Sequence, residues 1–140
     1  MVSETSRTAV TCLAVAVGGA AGAALRYQLW RLWPTTNLEF PLTTLLINAF
    51  GCFFLGAAIG LPLNNGYILC AALRPSVTFG LLGGFTTFSF FAVQSVTLVS
   101  PRLGMLYLLL TPLAAVAAAA VGMVSTSALL NRRRPGRGIR

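Results

Sequence analysis

The chain has 140 residues, of which 56% are hydrophobic and only 9% are charged, with a net charge of +8. Water-soluble domains carry about 25% charged residues, so this chain has too few charges to cover a soluble surface. Its mean hydropathy is +0.82, and its apolar residues form blocks long enough to cross a bilayer, which takes roughly 20 residues as a helix. The blocks lack the polar alternation of barrel strands, which predicts an all-α integral membrane protein.

The apolar blocks occupy four stretches of the sequence: residues 8–29, 41–61, 67–99 and 102–130. We therefore predict one four-helix transmembrane domain over 8–130, with an N-terminal flank at 1–7 and a basic tail at 131–140. The linkers are short and contain turn residues such as Pro and Asn. The first stretch could alternatively be a signal peptide, but three more spans follow it, so the class would not change.

The third stretch is too long for one straight helix and is interrupted at its centre. Gly83 and Gly84 are followed there by Thr86 and Thr87. Glycine weakens helices, and broken membrane helices offer carbonyl oxygens and helix ends to ions. A kink that only packs on a neighbour is the alternative. Small residues also recur four apart, which predicts close helix packing, at Gly18/Gly22, Gly56/Gly60 and Gly80/Gly84.

Several polar side chains fall inside the predicted spans, where they are costly and therefore functional candidates. Asn48 lies midway along the second span, with Thr44 one turn earlier on the same face. Tyr107 and Thr111 are likewise one turn apart in the fourth span. Arg26 ends the first span and could either reach lipid headgroups or line a vestibule that attracts anions. A lone Asn could also simply hold helices together.

Residues that the sequence lacks restrict the chemistry further. The chain has no His, and its two acidic residues, Glu4 and Glu39, lie outside the predicted spans. Neither a proton relay nor general acid–base catalysis has a candidate, so we predict that the chain is not an enzyme. The remaining donors are amide, hydroxyl and guanidinium groups, and the positive ring edges of Phe88 and Phe91. This set favours an anion.

The cysteines and the basic tail have simpler interpretations. Cys12, Cys52 and Cys70 show no paired spacing, which predicts small apolar residues rather than a metal site or disulfides. The tail is typical of cytoplasmic flanks that contact lipid headgroups, and no folded basic domain suggests nucleic acid. Half of the ten arginines lie in this tail: Arg132, Arg133, Arg134, Arg137 and Arg140.

The arginine distribution also predicts an orientation in the cell (inner) membrane. Four spans place both termini on one side, which then carries Arg7, Arg74 and the tail arginines. The opposite side carries fewer: Arg26, Arg31 and Arg102. A fixed orientation would therefore place the termini in the cytoplasm.

Three segments of the predicted spans form distinct motifs: GGAAGAALRY at 18–27, FPLTTLLINAFGCF at 40–53 and GGFTTFSFF at 83–91. Together they resemble the signatures of the Fluc, or CrcB-type, fluoride channel family. The resemblance implies a dual-topology-type dimer of antiparallel four-helix subunits, with a break in the third helix and two narrow pores. Such a protein would let cytoplasmic fluoride leave passively.

The resemblance also implies roles for individual residues. Fluoride would meet the Asn48 amide, several hydroxyl groups and the ring edges of two phenylalanines, with Arg26 in the vestibule. Main-chain carbonyls of Gly83 and Thr86 would hold a structural Na⁺. The remaining implied pore residues are Thr44, Phe88, Ser89, Phe91, Tyr107 and Thr111.

Some positions depart from the family pattern and leave alternatives open. Phe90 stands where Thr is usual, Gln94 where Glu is usual, Thr43 where Gly is usual, and Thr111 replaces Ser. A non-conducting scaffold, or a subunit that needs an oppositely oriented paralogue, is therefore an alternative to a homodimer. A small multidrug-resistance-type transporter has a similar size but needs an intramembrane Glu, which the sequence lacks.

Overall fold

The computed structural model describes residues 4–61 and 73–132, and every regular element in these two ranges is helical. The four main helices are α1 (Glu4–Leu32), α2 (Leu42–Gly60), α3 (Phe88–Thr97) and α4 (Pro101–Arg132). A π-helix (Ser76–Leu82) and a short α-helical turn (Gly83–Phe85) precede α3. The start of the third predicted stretch, Cys70 and the tail from Arg133 onward lie outside the described residues.

Four helical segments of the described chain are long and apolar enough to cross a membrane: Glu4–Leu32, Leu42–Gly60, Leu73–Thr97 and Pro101–Asn131. The predicted class, a multi-pass helical membrane protein, is confirmed. Large apolar side chains point away from the bundle; Leu13, Val96 and Leu113 are each at least two-thirds exposed. Side chains that contact lipid rather than water have this arrangement.

Two of the spans extend beyond the predicted apolar stretches. Helix α1 begins at Glu4 and α4 ends at Arg132, because the helical backbone continues past the apolar side chains into the polar flanks. Of the cysteines in the described ranges, Cys12 is exposed, Cys52 is half-buried, and both are free thiols.

The predicted break in the third span is confirmed at Thr86 and Thr87, whose backbones are extended. The first half of the span, residues 73–85, contains the π-helix, which we did not expect from composition. The second half is α3, which begins after Thr87 accepts a hydrogen bond from the Phe90 amide at 3.2 Å. The hydroxyl thus caps the new helix where the old one ends.

Close backbone contacts hold the broken span between its neighbours. The first half packs on α1, where a Cβ at Gly84 would collide with the Gly19 carbonyl. Helix α2 packs along α4, where a Cβ at Gly56 would collide with the Ala119 carbonyl. The predicted small-residue faces are therefore helix contacts.

The loop between α1 and α2 is fixed to the end of α3. The Val99 amide donates to the Asn37 carbonyl at 3.0 Å. The Thr43 hydroxyl donates to the Trp33 carbonyl at 2.8 Å, so the residue that departs from the family pattern ties the end of α1 to the start of α2. Phe40, just before α2, packs edge-on against Tyr107 at 5.5 Å. These contacts connect the α1–α2 loop to the end of α3 and to α4.

Candidate functional site

Asn48 connects α2 to the break in the third span. Its Nδ2 donates to the Thr87 carbonyl at 3.0 Å, and its Oδ1 accepts from the Thr87 amide at 2.8 Å. Because the main-chain groups can only donate or only accept, the two bonds fix the orientation of the Asn48 amide. The side chain is 8% exposed, and its NH₂ group still has one N–H to offer a ligand.

The Asn48 contact changes the hydrogen bonding at the end of the first half-helix. In a continuous helix the Thr87 amide would donate to Gly83, four residues earlier. Here it donates to Asn48 instead. Thr86 remains attached to the helix end, since its hydroxyl donates to the Leu82 carbonyl at 3.0 Å and lies 3.5 Å from that of Gly83. The unwound backbone at Thr86 and Thr87 is therefore held by the side chains of Asn48 and Thr86.

Arg26 is attached to the same region from α1. Its Nε donates to the Gly84 carbonyl at 3.2 Å. A guanidinium has five N–H donors, so the terminal nitrogens stay available. The contact sets Arg26 beside the break rather than at the outer edge of the protein.

A second polar region lies between α2 and α4. Tyr107 is fully buried, Thr44 is 1% exposed and Thr111 is 3% exposed. The hydroxyls of Thr44 and Thr111 lie close to the Tyr107 hydroxyl, but neither is positioned to form a well-aligned hydrogen bond with it or with any other described residue. We call these three side chains the hydroxyl cluster. Buried hydroxyls without a protein partner are rare, which makes this cluster a candidate to bind a small ligand or water.

Other threonines show that the missing bonds are not a general property of this bundle. Thr97 and Thr126 donate to the carbonyls four residues earlier, at 3.0 and 3.1 Å, as helical threonines commonly do. Thr44 and Thr111 do not. Their hydroxyls are therefore available to a small ligand.

Gln94 positions the Tyr107 hydroxyl. The Tyr107 hydroxyl donates to Gln94 Oε1 at 3.1 Å, and Gln94 Nε2 donates to the Thr35 hydroxyl at 3.4 Å. With its proton directed at Gln94, the Tyr107 oxygen presents lone pairs to the rest of the cluster. The chain of bonds also connects the hydroxyl cluster to the α1–α2 loop.

The two phenylalanines predicted for the pore lie in different surroundings. Phe91 is 6% exposed and its ring lies 5.3 Å from that of Tyr107. Phe88 is 80% exposed, with its ring 5.7 Å from that of Phe91. Ser89 is exposed beside Phe88 and does not join the buried polar groups. One chain therefore encloses only one of the two rings.

A cleft of about 300 Å³ opens between α1, α2 and α3. Its lining includes Arg26, Trp30, Thr44, Thr87 and Phe90. Thr44 therefore belongs both to this cleft and to the hydroxyl cluster. Arg26 contributes a positive charge and several N–H donors to the cleft, and none of the described residues that line it is acidic.

The sequence that builds this site is similar to those of known proteins. The family described as CrcB-like protein, Camphor Resistance (CrcB), matches residues 13–123. The chain belongs to the CrcB-like family. The match includes the second and third spans in full and most of the first and fourth, and the predicted membership is confirmed.

Curated relatives cover most of the chain. A protein of Nocardia farcinica named fluoride-specific ion channel FluC 2 is 40% identical over 115 residues, which are 79% of this chain and 80% of the relative. Fluoride-specific ion channel FluC of Saccharophagus degradans is 33% identical over 121 residues, 84% of this chain and 90% of the relative. That of Ruegeria sp. is 38% identical over 129 residues, 86% and 98% respectively. Members of the family are named as ion channels, which agrees with the prediction that this chain is not an enzyme.

Within this CrcB-like chain, three residues contribute to the site beyond those predicted. Thr87 is the main-chain partner of Asn48, Gln94 positions Tyr107, and Trp30 lines the cleft. Trp30 lies one turn after Arg26, and this spacing could have indicated it. The pairing of Asn48 with Thr87 has no local sequence signal, since 39 residues separate them.

Proposed function

We propose that the chain is a subunit of a fluoride-selective channel that lets cytoplasmic fluoride leave the cell passively. The observation that carries the proposal is the hydroxyl cluster of this CrcB-like chain, in which the buried hydroxyls of Thr44 and Thr111 have no partner among the described residues and Phe91 packs against Tyr107. Fluoride is small and strongly hydrated, so a pore must replace its water with several close donors. A narrow passage then excludes chloride.

Each polar or aromatic side chain of the proposed pore has its own contribution to fluoride binding. The free N–H of Asn48 and the hydroxyls of Thr44 and Thr111 donate to fluoride, and Tyr107 lies between them. The Phe91 ring presents its positive edge to the ion. Ser89 and Phe88 contribute from the exposed side of α3, where a second subunit completes the path.

The subunit acts as an antiparallel homodimer in the inner membrane. Phe88 supports this part of the proposal, because a ring that is 80% exposed beside the buried Phe91 forms one side of a path that a single chain leaves open. A second copy in the opposite orientation supplies the other side. Two equivalent pores follow from the two-fold symmetry.

A structural Na⁺ fits the main chain at the break. The Thr87 amide does not donate to Gly83, and a Cβ at Gly83 would meet no atom within 4 Å, so the Gly83 backbone lies on an open face. In the described ranges, His, Cys, Asp and Glu form no cluster of three that could hold a metal. Carbonyls of Gly83 and Thr86 from both subunits would hold the ion, which would neutralise their dipoles and join the subunits.

A subunit that needs an oppositely oriented paralogue is the second candidate. The bulky Phe90 lines the cleft, with its ring edge-on to Trp30 at 5.6 Å, and the arginine distribution favours one orientation with cytoplasmic termini. In that case the pure chain would assemble without conducting.

Fluoride efflux from liposomes tests the proposal directly. The purified chain, reconstituted alone, is expected to release fluoride and to retain chloride. The paired change Phe88→Ile with Phe91→Ile is expected to abolish fluoride release without dissociating the dimer. Efflux that appears only when the oppositely oriented paralogue is added would favour the second candidate. Equal release of chloride, or normal flux in the paired variant, would refute fluoride selectivity or the role of the rings.

A further inference from the structure

An apolar groove of about 500 Å³ lies between α1, α2, the π-helix and α4. Leu25, Phe54 and Leu61 line it, and each is more than half exposed, so the groove opens toward the outside of the chain. None of its lining residues lines the cleft beside Arg26 or belongs to the hydroxyl cluster. The groove therefore lies apart from the proposed fluoride path.

The lining of the apolar groove makes no demand for a polar occupant. Among the described residues that line it, Thr126 has the one polar side chain. Its hydroxyl already donates to the Gly122 carbonyl at 3.1 Å. An apolar space that opens into a bilayer is suited to hydrocarbon rather than to water or an ion.

Arg74 places a positive charge at one end of the apolar groove. Its Nη2 donates to the carbonyl of Ala58, a residue of the groove lining, at 3.3 Å. A guanidinium has five N–H donors, and this is its one hydrogen bond among the described residues. The third span begins at Leu73 and α2 ends at Gly60, so Arg74 lies near the level of the lipid headgroups. Basic groups between helices at this level bind anionic headgroups.

The apolar groove also faces away from the surface that we assign to the second subunit. That surface includes the open face of Gly83, where a Cβ would meet no atom within 4 Å. Phe85 lines the groove and follows two residues later in the same helical turn, which places it about 200° around the helix axis from Gly83. A second subunit on the Gly83 face therefore leaves the groove open to lipid.

We propose that the apolar groove holds one acyl chain of an anionic phospholipid, whose phosphate binds Arg74. Charge and shape support this occupant together, because the phosphate meets the free N–H groups of Arg74 and the chain follows the apolar lining past Val77 toward Phe85. The inference does not depend on the proposed function, since it assigns a lipid site to residues outside the fluoride path.

Native mass spectrometry of the purified full-length chain in detergent measures this binding directly. Dioleoyl phosphatidylglycerol is titrated against dioleoyl phosphatidylcholine, which has the same acyl chains and no net charge. We expect tighter binding of phosphatidylglycerol, and Arg74→Gln should weaken it about fivefold, the value of one arginine near an anionic headgroup. Arg102→Gln, which removes an exposed arginine at the start of α4, is the matched control and should bind as the wild-type chain does.

Filling the apolar groove tests the acyl chain separately from the headgroup. Ala58→Phe adds a ring to the lining and should lower retention of both lipids, whereas Ala117→Phe, at an exposed position of α4, should not. Equal affinity for the two lipids, or equal losses in the Arg74 and Arg102 variants, would overturn the inference. A weaker dimer with unchanged lipid retention in Ala58→Phe would show that a second copy covers the groove, and would also overturn it.

Photo-crosslinking locates the lipid in the wild-type chain and so does not depend on the folding of a variant. The probe is phosphatidylglycerol with a diazirine on one acyl chain, in phosphatidylcholine vesicles that contain the protein. We expect adducts in the second half of α2 and in the π-helix, at the residues that line the apolar groove. Adducts spread evenly over the exposed side chains of α4, with none in the groove, would contradict the proposed site.

Discussion

The break in the third span and the hydroxyl cluster are both polar and both lie inside the membrane domain, but their hydrogen bonding differs. At the break, Asn48 bonds both main-chain groups of Thr87, and Arg26 bonds the Gly84 carbonyl. In the hydroxyl cluster, Thr44 and Thr111 have buried hydroxyls without partners among the described residues. The protein therefore supplies hydrogen-bond partners for the polar groups at the break, but, among the described residues, none for the hydroxyls of Thr44 and Thr111.

This difference distinguishes polar groups that support the fold from polar groups that can bind an ion. Polar groups inside a membrane must be paired or must serve a ligand, since leaving them unpaired is costly. The paired groups hold an unwound backbone in place, and the unpaired hydroxyls are the part that an ion would satisfy. Asn48 lies one turn after Thr44 on α2; one N–H of its amide supports the break, and the other has no partner among the described residues.

Asn48→Asp should have the largest effect, because it removes both the N–H that supports the break and the N–H assigned to the ion. A carboxylate has no N–H, so the Thr87 carbonyl would lose its donor and the path would gain a negative charge. We expect fluoride efflux to fall about a hundredfold, corresponding to the loss of about 3 kcal/mol for a charged hydrogen bond. A fluoride electrode on liposomes measures the rate. Asn131→Asp, at the exposed end of α4, is the matched control, and similar rates for both variants would contradict the role of Asn48.

Thr44→Val and Thr111→Val test the unsatisfied region alone. Each removes a hydroxyl and keeps the branched shape, so efflux should fall about tenfold through loss of one donor to the ion. Thermal stability should stay equal or rise, because no existing bond is lost. Thr97→Val serves as the control, since its hydroxyl already bonds the Val93 carbonyl. A drop in stability without a drop in flux would show that these hydroxyls are structural.

Gln94→Leu should have a smaller effect on the same region. Without Gln94, the Tyr107 hydroxyl loses its acceptor, and its oxygen is no longer oriented toward the cluster. We expect efflux to fall about threefold, near the value of one neutral hydrogen bond. Gln94→Glu, whose side chain can also accept a hydrogen bond from the Tyr107 hydroxyl, should restore most of the efflux rate. Failure of this rescue would show that the amide N–H toward Thr35 matters more.

Thr87→Ala should have the smallest effect on flux and act mainly on stability. The change removes the cap of α3, which costs about 1 kcal/mol, but keeps the main-chain groups that bond Asn48. Thermal unfolding of the purified protein should therefore shift downward while efflux stays within about twofold, since no ion donor is lost. A loss of flux comparable to that of Thr44→Val would mean that the Thr87 hydroxyl belongs to the path.

Much of the fold could be predicted because it depends on local composition. Length and apolarity define the four spans, and the Gly83-Gly84 pair followed by two threonines indicates the break. Within single helices, the spacing of Thr44 with Asn48 and of Tyr107 with Thr111 predicts shared faces.

The remaining features depend on contacts between distant spans. Pairing of Asn48 with Thr87, or of Trp30 with Phe90, requires the relative register of two helices, which local patterns do not contain. The exposure of Phe88 likewise becomes visible only once α3 is placed against its neighbours. The π-helix at Ser76–Leu82 has no compositional signal that we recognise.

The attachment of Arg26 to the Gly84 carbonyl has a consequence for acid stress. Fluoride enters cells as HF and releases a proton there, so the anion that must leave also acidifies the cytoplasm. The chain has no His, and neither of its carboxylates, Glu4 and Glu39, is among the described residues that line the cleft beside Arg26. We therefore expect fluoride efflux to change little while the cell becomes more acidic, when removal of fluoride matters most.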